Sequence, residues 1–241
     1  MFFKEEIRMR ILSSIIILML ALFQPLFSFA GEKEEAMGKQ LFMRYCAQCH
    51  GEKGLGDGPN VKAAEMDPQP RDLCDIEKPY MKTKDNTYLI QAIAEGGLGI
   101  DKSALMPQFK STLSDYQIHT VAAYIRTLHK HDAPPLDFSK AKRTKESIVV
   151  NKIETGKTSK RDKLMGKKVY KKYGCSGCHA IKENGGSSGG DLSTVGLKYD
   201  AHKMWQIIKD PLSVNTDSQM PAFNIDERTG VILVKYLSSL K

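Results

Sequence analysis

The sequence predicts a mainly α-helical protein built from two similar domains in tandem. One order of features occurs twice: a helix, a Cys-x-x-Cys-His motif, a glycine-rich stretch, a Met-Pro pair and a closing helix. Apolar residues in the closing segments recur at three- and four-residue steps, as in an amphipathic helix. No segment alternates between apolar and polar residues, so strands are not predicted. We predict a leader at 1–30, a first domain at 31–130, a basic linker at 131–161 and a second domain at 162–241.

The composition fits a globular chain with an uneven distribution of charge. Its 241 residues leave room for two domains of ordinary size. At 41% hydrophobic and 27% charged residues, it is neither disordered nor a multi-span membrane protein. The net charge of +8 comes mainly from residues 130–172, which carry 14 basic and 5 acidic side chains. Charge alone suggests nucleic acid, and the predicted export argues against such a partner.

The first 30 residues are typical of a secretory signal. A start with three basic residues precedes an apolar run of 13 residues, 11–23, which is short for a membrane-spanning helix. Small residues at Ser28 and Ala30 predict cleavage after Ala30. An uncleaved anchor is the alternative, because a looser apolar stretch from Ile7 to Ala30 is just long enough to span. In both cases we predict an exported, periplasmic protein, associated with a membrane if the helix is retained or through a complex.

Two pairs of helices frame the predicted domains. The expected ranges are about 34–45 and 162–173 for the leading helices, and 114–128 and 226–240 for the closing helices. Ser114 is a favourable N-cap, and Gln117 three residues later completes a capping box.

The segment between the domains is basic and poor in apolar residues. Pro134 and Pro135 end the first domain, and the only apolar patch that follows is 148–150. We favour a solvated linker. The alternative is a docking strap for an acidic partner or an anionic lipid surface.

The Cys-x-x-Cys-His motif is the attachment sequence for c-type haem. Two thiols at this spacing can each add to a haem vinyl group, and the adjacent His can ligate the iron. Zinc sites rarely place His directly after the second Cys, and a redox Cys-x-x-Cys belongs in a βαβ unit. We therefore predict two covalently bound c-type haems. The residues are Cys46, Cys49 and His50 in the first domain, and Cys175, Cys178 and His179 in the second.

Met106 and Met220 are the candidate sixth ligands of the two irons. They are the only two of eleven methionines followed by proline, and both occupy the same slot of the repeat. A thioether is a soft ligand, and Met/His ligation raises the reduction potential relative to bis-His. The competing interpretation is that an unbranched Met simply fills the core.

The chain resembles class I cytochromes c, in a diheme form with two tandem mono-haem domains. The resemblance rests on the two Cys motifs and the two Met-Pro pairs, and it covers about 34–129 and 162–241. It implies that the Pro59 carbonyl accepts a hydrogen bond from the other ring nitrogen of His50. In the second domain Gly190 stands where the family has proline, so its carbonyl would take this role for His179 with a less rigid turn.

The same resemblance implies that Arg71 and Trp205 contact haem propionates, against the alternatives of a surface Arg and a core Trp. Cys74 is left over, and an idle thiol is favoured over a haem ligand or an intermolecular link. The remaining histidines are predicted to lie at the surface. They are His119, His129, His131 and His202.

Electron transfer is the predicted function, because six-coordinate irons leave no position for substrate. The expected partners are redox proteins, namely a quinol-oxidising cytochrome b complex upstream and a terminal oxidase or reductase downstream. A subunit of such a complex is one form of this prediction, and the basic stretch would steer encounters with partners. The alternative is a diheme enzyme of the thiosulfate-oxidising or peroxidase type, with one haem as the catalytic site.

Overall fold

Two helical halves, each with its own apolar core, make up the structure, which is a computed structural model. It describes the backbone of residues 25–76, 79–145 and 148–241, and the side chains from residue 31 onward within those ranges. We call 25–130 the first half and 160–241 the second half. Among the described residues, no helix is both long and apolar enough to cross a membrane. Most of the predicted leader, 1–24, lies outside the described residues.

The helices of the first half are α1 Pro25–Tyr45, α2 Ala47–His50, α3 Pro59–Ala63, α4 Asn86–Glu95 and α5 Asp115–Thr127, with 3-10 turns at Met81–Thr83 and Gly97–Ile100. Those of the second half are α6 Lys160–Lys172, α7 Val195–Lys198, α8 Ala201–Lys209, α9 Pro211–Val214 and α10 Glu227–Ser238, with a 3-10 turn at Cys175–Gly177. The mainly α prediction is confirmed.

Helices α1 and α5 cross at Gly38 in the first half. A Cβ atom at Gly38 would lie 1.9 Å from the Thr120 carbonyl oxygen, so only glycine permits this approach. One turn further along α1, the Phe42 ring packs against Tyr124 with centroids 5.2 Å apart. The leading helix begins earlier than the predicted 34, and it continues past Ala30.

Helices α6 and α10 repeat this crossing in the second half. A Cβ atom at Gly166 would lie 2.6 Å from the Ile232 carbonyl oxygen. The Tyr170 and Tyr236 rings then meet at 6.1 Å. The two crossings use the same slots of the sequence repeat, so the repeat is one of structure as well as of sequence.

Side-chain caps set the starts of the longer helices. Ser114 and Gln117 form the predicted capping box at the start of α5, and this prediction is confirmed. Ser159 and Asp162 form a second box at the start of α6. Asp226 caps α10 by accepting from the Thr229 backbone amide.

Two local expectations were wrong. A small antiparallel hairpin pairs Ala180–Ile181 with Asn184–Gly185, and strands of two residues are too short to show alternation in a sequence. His129 is not at the surface but only 8% exposed. Its Nδ1 donates to the Leu73 carbonyl oxygen at 2.9 Å, and its Nε2 accepts from Arg126 at 3.2 Å. Buried partners on both ring nitrogens make this His a core residue.

The predicted linker is packed onto both halves instead of being solvated throughout. On the first half, Phe138 packs against Tyr116 at 5.5 Å, and the Arg143 guanidinium lies 3.8 Å from the same ring. Towards the second half, Ile153 is only 4% exposed and belongs to the second core. Phe138 and Ile153 therefore anchor this basic segment to the first and the second half, respectively.

Candidate functional site

A cavity of about 340 Å³ in the first half brings together the residues of the first Cys motif and Met106. Cys46, Cys49 and His50 all line it, as do Met106 and Pro107. Most of the remaining wall is apolar and comes from α1, α4 and the segment before Met106. Two thiols, an imidazole and a thioether thus line one largely apolar cavity.

Chain geometry around α2 places the first motif. The His50 amide donates to the Cys46 carbonyl oxygen at 2.9 Å, so the motif is itself one helical turn. Gly51 ends this turn with a φ of +76°, a conformation that glycine adopts without strain. A Cβ atom there would also lie 2.0 Å from an Asp57 carboxylate oxygen.

The second ring nitrogen of His50 is held by a backbone carbonyl. His50 Nδ1 lies 3.1 Å from the Arg71 carbonyl oxygen. Burial lowers the pKa of His50, although this hydrogen bond opposes the shift. A neutral ring that donates from Nδ1 has its lone pair on Nε2, the state that a metal requires.

Pro59 does not play the expected part. It occupies the first turn of α3, Pro59–Ala63, and the acceptor for His50 is the Arg71 carbonyl. The counterpart in the second half is the Gly190 carbonyl, 3.3 Å from His179 Nδ1, as the resemblance implied. Both acceptors precede an Asp-Leu pair, a shared pattern that was not used to predict the acceptor in the first half.

Met106 is positioned by a tight glycine-rich turn. Its carbonyl oxygen accepts from the Gly97 amide at 2.9 Å. Gly96, at φ +70°, lies so close that a Cβ atom would be 2.7 Å from the Met106 carbonyl oxygen. Ser103 Oγ accepts from the Leu105 amide at 3.2 Å. These hydrogen bonds and the close approach of Gly96 fix the backbone at Met106.

An aromatic and charged wall that the sequence did not reveal closes the first cavity. The hydroxyl groups of Tyr80 and Tyr88 are hydrogen-bonded at 2.8 Å. The Arg71 guanidinium lies 4.1 Å from the centroid of the Tyr80 ring. All three residues line the cavity, so Arg71 contributes its side chain to the cavity and its carbonyl to His50.

The Asp75 carboxylate organises the start of this wall. It accepts from the backbone amides of Tyr80 at 3.0 Å, Met81 at 2.8 Å and Lys82 at 2.8 Å. Partial burial opposes ionisation of Asp75, but these amides outweigh it and lower its pKa. Asp75 has a φ of +56°, which Asp tolerates better than most residues.

A smaller cavity of about 220 Å³ repeats most of the arrangement in the second half, although Cys178, the counterpart of Cys49, does not line it. Cys175, His179 and Met220 line it together. The Met220 amide donates to Ser218 Oγ at 3.2 Å, a turn like the one before Met106. Burial raises the pKa of both Cys46 and Cys175 to about 12, so both thiols are protonated at neutral pH.

The His179 ring is seated directly on Gly189. A Cβ atom at Gly189 would lie 2.6 Å from both Cε1 and Nδ1 of the ring. Burial lowers the pKa of His179, opposed by hydrogen bonds from its ring to the backbone of Gly190 and Gly189. The second half thus holds its imidazole by the same means as the first.

Trp205 and Cys74 lie away from the cavity walls. Trp205 is 3% exposed and packs on Gly230, where a Cβ atom would lie 2.2 Å from Cζ3 of the indole. This placement corrects the expected propionate contact, because the ring fills the core behind the second cavity. The Cys74 thiol donates to the Lys53 carbonyl oxygen at 3.0 Å. Partial burial, followed by neighbouring Asp carboxylates, raises the pKa of Cys74, which keeps the thiol protonated.

The helical fold and this donor set define a small protein that binds haem covalently through Cys-x-x-Cys-His. Residues 35–129 match the family model for cytochrome c. Over 90 residues the chain is 36% identical to cytochrome c-551 of Bacillus subtilis (strain 168), covering 37% of this chain and 74% of that protein. The chain belongs to the cytochrome c family, and its haem group is a covalently bound c-type haem.

One solved structure aligns over a longer range. It is a chain of the reducing HAO-like protein complex of Kuenenia stuttgartiensis, with 21% identity over 85% of this chain and 95% of that chain. The TM-score is 0.32, which is too low to support an argument.

Proposed function

We propose that the chain is a diheme cytochrome c that carries electrons between respiratory redox proteins, with one haem in each half. The observation that carries this proposal is the repetition of the site. The second cavity gathers Cys175, His179 and Met220 in the same roles as Cys46, His50 and Met106 in the first.

The first cavity gathers a full donor set for a c-type haem, and the second gathers the same set except for Cys178, which does not line that cavity. The four motif cysteines would form the thioethers, and the Nε2 atoms of His50 and His179 and the sulfur atoms of Met106 and Met220 would be the axial ligands. Bound haem supplies a one-electron couple between ferrous and ferric iron. The carbonyls of Arg71 and Gly190 orient the imidazoles, and the apolar walls exclude water from the centre.

Filled axial positions favour electron transfer over catalysis. If Met106 and Met220 bind the irons from the cavity walls, neither iron would keep a position open for substrate. Both ferric haems are then low-spin, and each contributes the weak near-red absorption band of Met ligation. Met106→Ala and Met220→Ala each remove about half of this band.

Met165→Ala is the matched control, because Met165 is 40% exposed on α6 and lines neither cavity. It leaves the near-red band intact. A high-spin ferric signal from one haem of the unmodified protein would instead favour the diheme enzyme.

The partners follow from the class of protein. We propose a quinol-oxidising cytochrome b complex as donor and a terminal oxidase or reductase as acceptor, with the chain free or bound as a subunit. Electron-transfer encounters are usually small and transient. Purification from native membranes without crosslinking identifies the proteins that remain bound to the chain. If the chain were recovered without any other redox protein, that result would argue against a subunit role.

Export to the periplasm is proposed from the basic start and the apolar run of residues 1–30. Mass spectrometry of the native protein is expected to find a chain beginning at Gly31. A chain that retains residues 1–30 would support the uncleaved anchor instead.

A further inference from the structure

The two halves meet through a fully buried asparagine. Asn60 on α3 is 0% exposed. Its Nδ2 donates to Ser188 Oγ in the second half at 2.8 Å, and its Oδ1 accepts from the Ser188 amide at 3.2 Å. Both polar atoms of the carboxamide are therefore satisfied across the boundary between the halves.

The second cysteines of the two motifs meet at the same point. Asn60 Nδ2 lies 3.7 Å from Cys178 Sγ and 4.0 Å from Cys49 Sγ. One amide nitrogen thus reaches a sulfur atom of each half. The haem-attachment edges of the two halves thus face each other around one carboxamide.

The contacts on either side of this point are reciprocal. Arg44, just before the first Cys motif, donates from Nη2 to the carbonyl oxygens of Thr216 at 2.7 Å and Ser218 at 3.0 Å, just before Met220. Gly174, just before the second Cys motif, abuts Ala104 just before Met106, where a Cβ atom would lie 2.2 Å from the Ala104 carbonyl oxygen. In each half, the residues before the Cys motif contact the residues before the Met-Pro pair of the other half. Such reciprocal contacts are the mark of an isologous interface.

A second buried hydrogen bond crosses the interface beside the Met-Pro segments. The Ala222 amide donates to Thr112 Oγ1 at 2.7 Å. Thr112 is 4% exposed and Ala222 is 1% exposed. Each of these residues follows the Met-Pro pair of its own half, so the ligand loops of both halves also take part in the contact.

Separating the two halves costs free energy, because it breaks the hydrogen bonds of these buried polar groups. Among the described residues, the side-chain partners of Asn60 are Ser188 and the two cysteine sulfur atoms. A half-opened interface would leave the carboxamide without good partners before water reached it, and an unsatisfied buried polar group is expensive. The interface therefore favours one closed arrangement over a range of loose ones.

We infer that the two halves form a fixed pair across a quasi-twofold interface, and that Asn60 is the positioning residue that holds the two Cys motifs together. The docking itself rests on the contacts alone. Its consequence for redox behaviour rests on the proposed diheme function: two redox centres at a fixed, short separation influence each other's reduction electrostatically.

Hydrogen exchange of the Ala222 amide tests the docking directly, because that amide is bonded across the interface. The measurement uses NMR on the full-length, haem-loaded ferrous protein. Asn60→Leu is expected to raise exchange of Ala222 about tenfold, since loss of a buried hydrogen-bond pair weakens closure. The Phe223 amide, bonded within the second half to the Ile208 carbonyl oxygen at 3.0 Å, is expected to keep its rate.

Ser188→Ala provides a second variant, because Ser188 is exposed and its loss does not disturb a core. It removes one of the two bonds to Asn60 and is expected to raise Ala222 exchange by a smaller factor. Asn184→Ala is the matched control: Asn184 is an exposed asparagine whose side-chain amide donates to the Lys182 carbonyl of its own hairpin. Unchanged Ala222 exchange in both Asn60→Leu and Ser188→Ala would overturn the docking.

Redox titration of the same proteins tests the positioning role. Asn60→Leu is expected to reduce the difference between the two midpoint reduction potentials. In a looser interface, reduction of one haem would disfavour reduction of the other less strongly. Asn184→Ala leaves the difference as it is. An unchanged difference in Asn60→Leu would overturn the positioning role. The haem content of each protein is measured in parallel, and a chain with one haem would refute the proposed function while leaving the exchange result valid.

Discussion

The Nδ1 atom of His50 lies 3.1 Å from the carbonyl oxygen of Arg71. In the second half, His179 makes the equivalent contact with Gly190 at 3.3 Å. Both acceptors are backbone atoms in the loop after the motif, so the orientation of each imidazole depends on the loop path more than on any one side chain.

Gly189→Ala is expected to displace the His179 ring. The new Cβ atom would lie 2.6 Å from two ring atoms, a distance that real structures avoid. If the second half holds a haem as proposed, the displaced imidazole would bind its iron less well, and the near-red band is expected to fall by up to half.

Gly190→Ala is the control for that substitution. Its Cβ atom meets nothing within 4 Å, but the backbone has a φ of +76°. It is expected to cost about 1 kcal/mol of stability from strain alone, with the near-red band intact. Equal spectra for the two variants would show that Gly189 does not seat the ring.

Asp75→Ala is expected to loosen the wall of the first cavity. The carboxylate accepts three backbone amides, and their loss costs about 1–3 kcal/mol. Urea unfolding of the haem-loaded protein measures this cost. Asp75→Asn keeps a side chain that tolerates positive φ and is expected to lose less. A midpoint of unfolding that Asp75→Ala leaves unchanged would contradict the role.

Acidification is expected to destabilise the first half through His129. Burial, and next to it the charge of Arg126, lowers the pKa of His129, against the opposing hydrogen bond to the Leu73 carbonyl. The unfolded state binds a proton at a pKa of about 6.5 while the folded state resists it. The stability contributed by neutral His129 is therefore present above about pH 6.5 and is lost as pH falls through the lower folded value.

Thermal unfolding between pH 7.5 and 5 measures this dependence. His129→Gln removes the titrating group and is expected to flatten the profile. His119→Gln makes the same replacement on the outer side of α5, where the His119 ring bonds the Asp115 carbonyl. If the stability of His129→Gln fell as steeply with acidification as that of the unmodified protein, the pH dependence would come from another group.

Electron exchange with a redox partner is expected to slow as salt rises. Most of the net charge lies in residues 130–172, and α6 presents exposed lysines that include Lys167, Lys168 and Lys171. Such charges steer an acidic partner, and the Debye length falls from about 30 Å at 0.01 M to about 10 Å at 0.1 M salt. Stopped-flow rates across this range measure the effect, and substituting these three lysines by Gln is expected to reduce it. Rates that do not respond to ionic strength would refute the steering.

Local patterns made much of the fold and of the haem site predictable. Cys46 and His50 are recognisable because haem attachment fixes their spacing, and the capping box at Ser114 depends on residues three apart. Pro59 was expected to supply the acceptor for His50, and the Arg71 carbonyl does so instead. Every residue has a carbonyl, so only the Asp-Leu pair that follows both acceptors marks the position in the sequence. The burial of His129 depends on partners brought together only by the folded chain.

The contact between the halves lay beyond prediction for the same reason. Asn60 is an ordinary polar residue in the sequence, and its burial depends on Ser188, 128 residues away. The docking of the basic linker likewise depends on Phe138 and Ile153 finding distant apolar surfaces. Helical periodicity does not encode such long-range contacts.

The haem content of the intact chain tests the central claim most directly. Electrospray mass spectrometry under denaturing conditions retains only covalently bound haem. The proposal predicts the mass of the chain plus two haems, falling to one haem when Cys175 and Cys178 are both replaced by Ala. A chain that carries a single haem, unaffected by that double substitution, would contradict it.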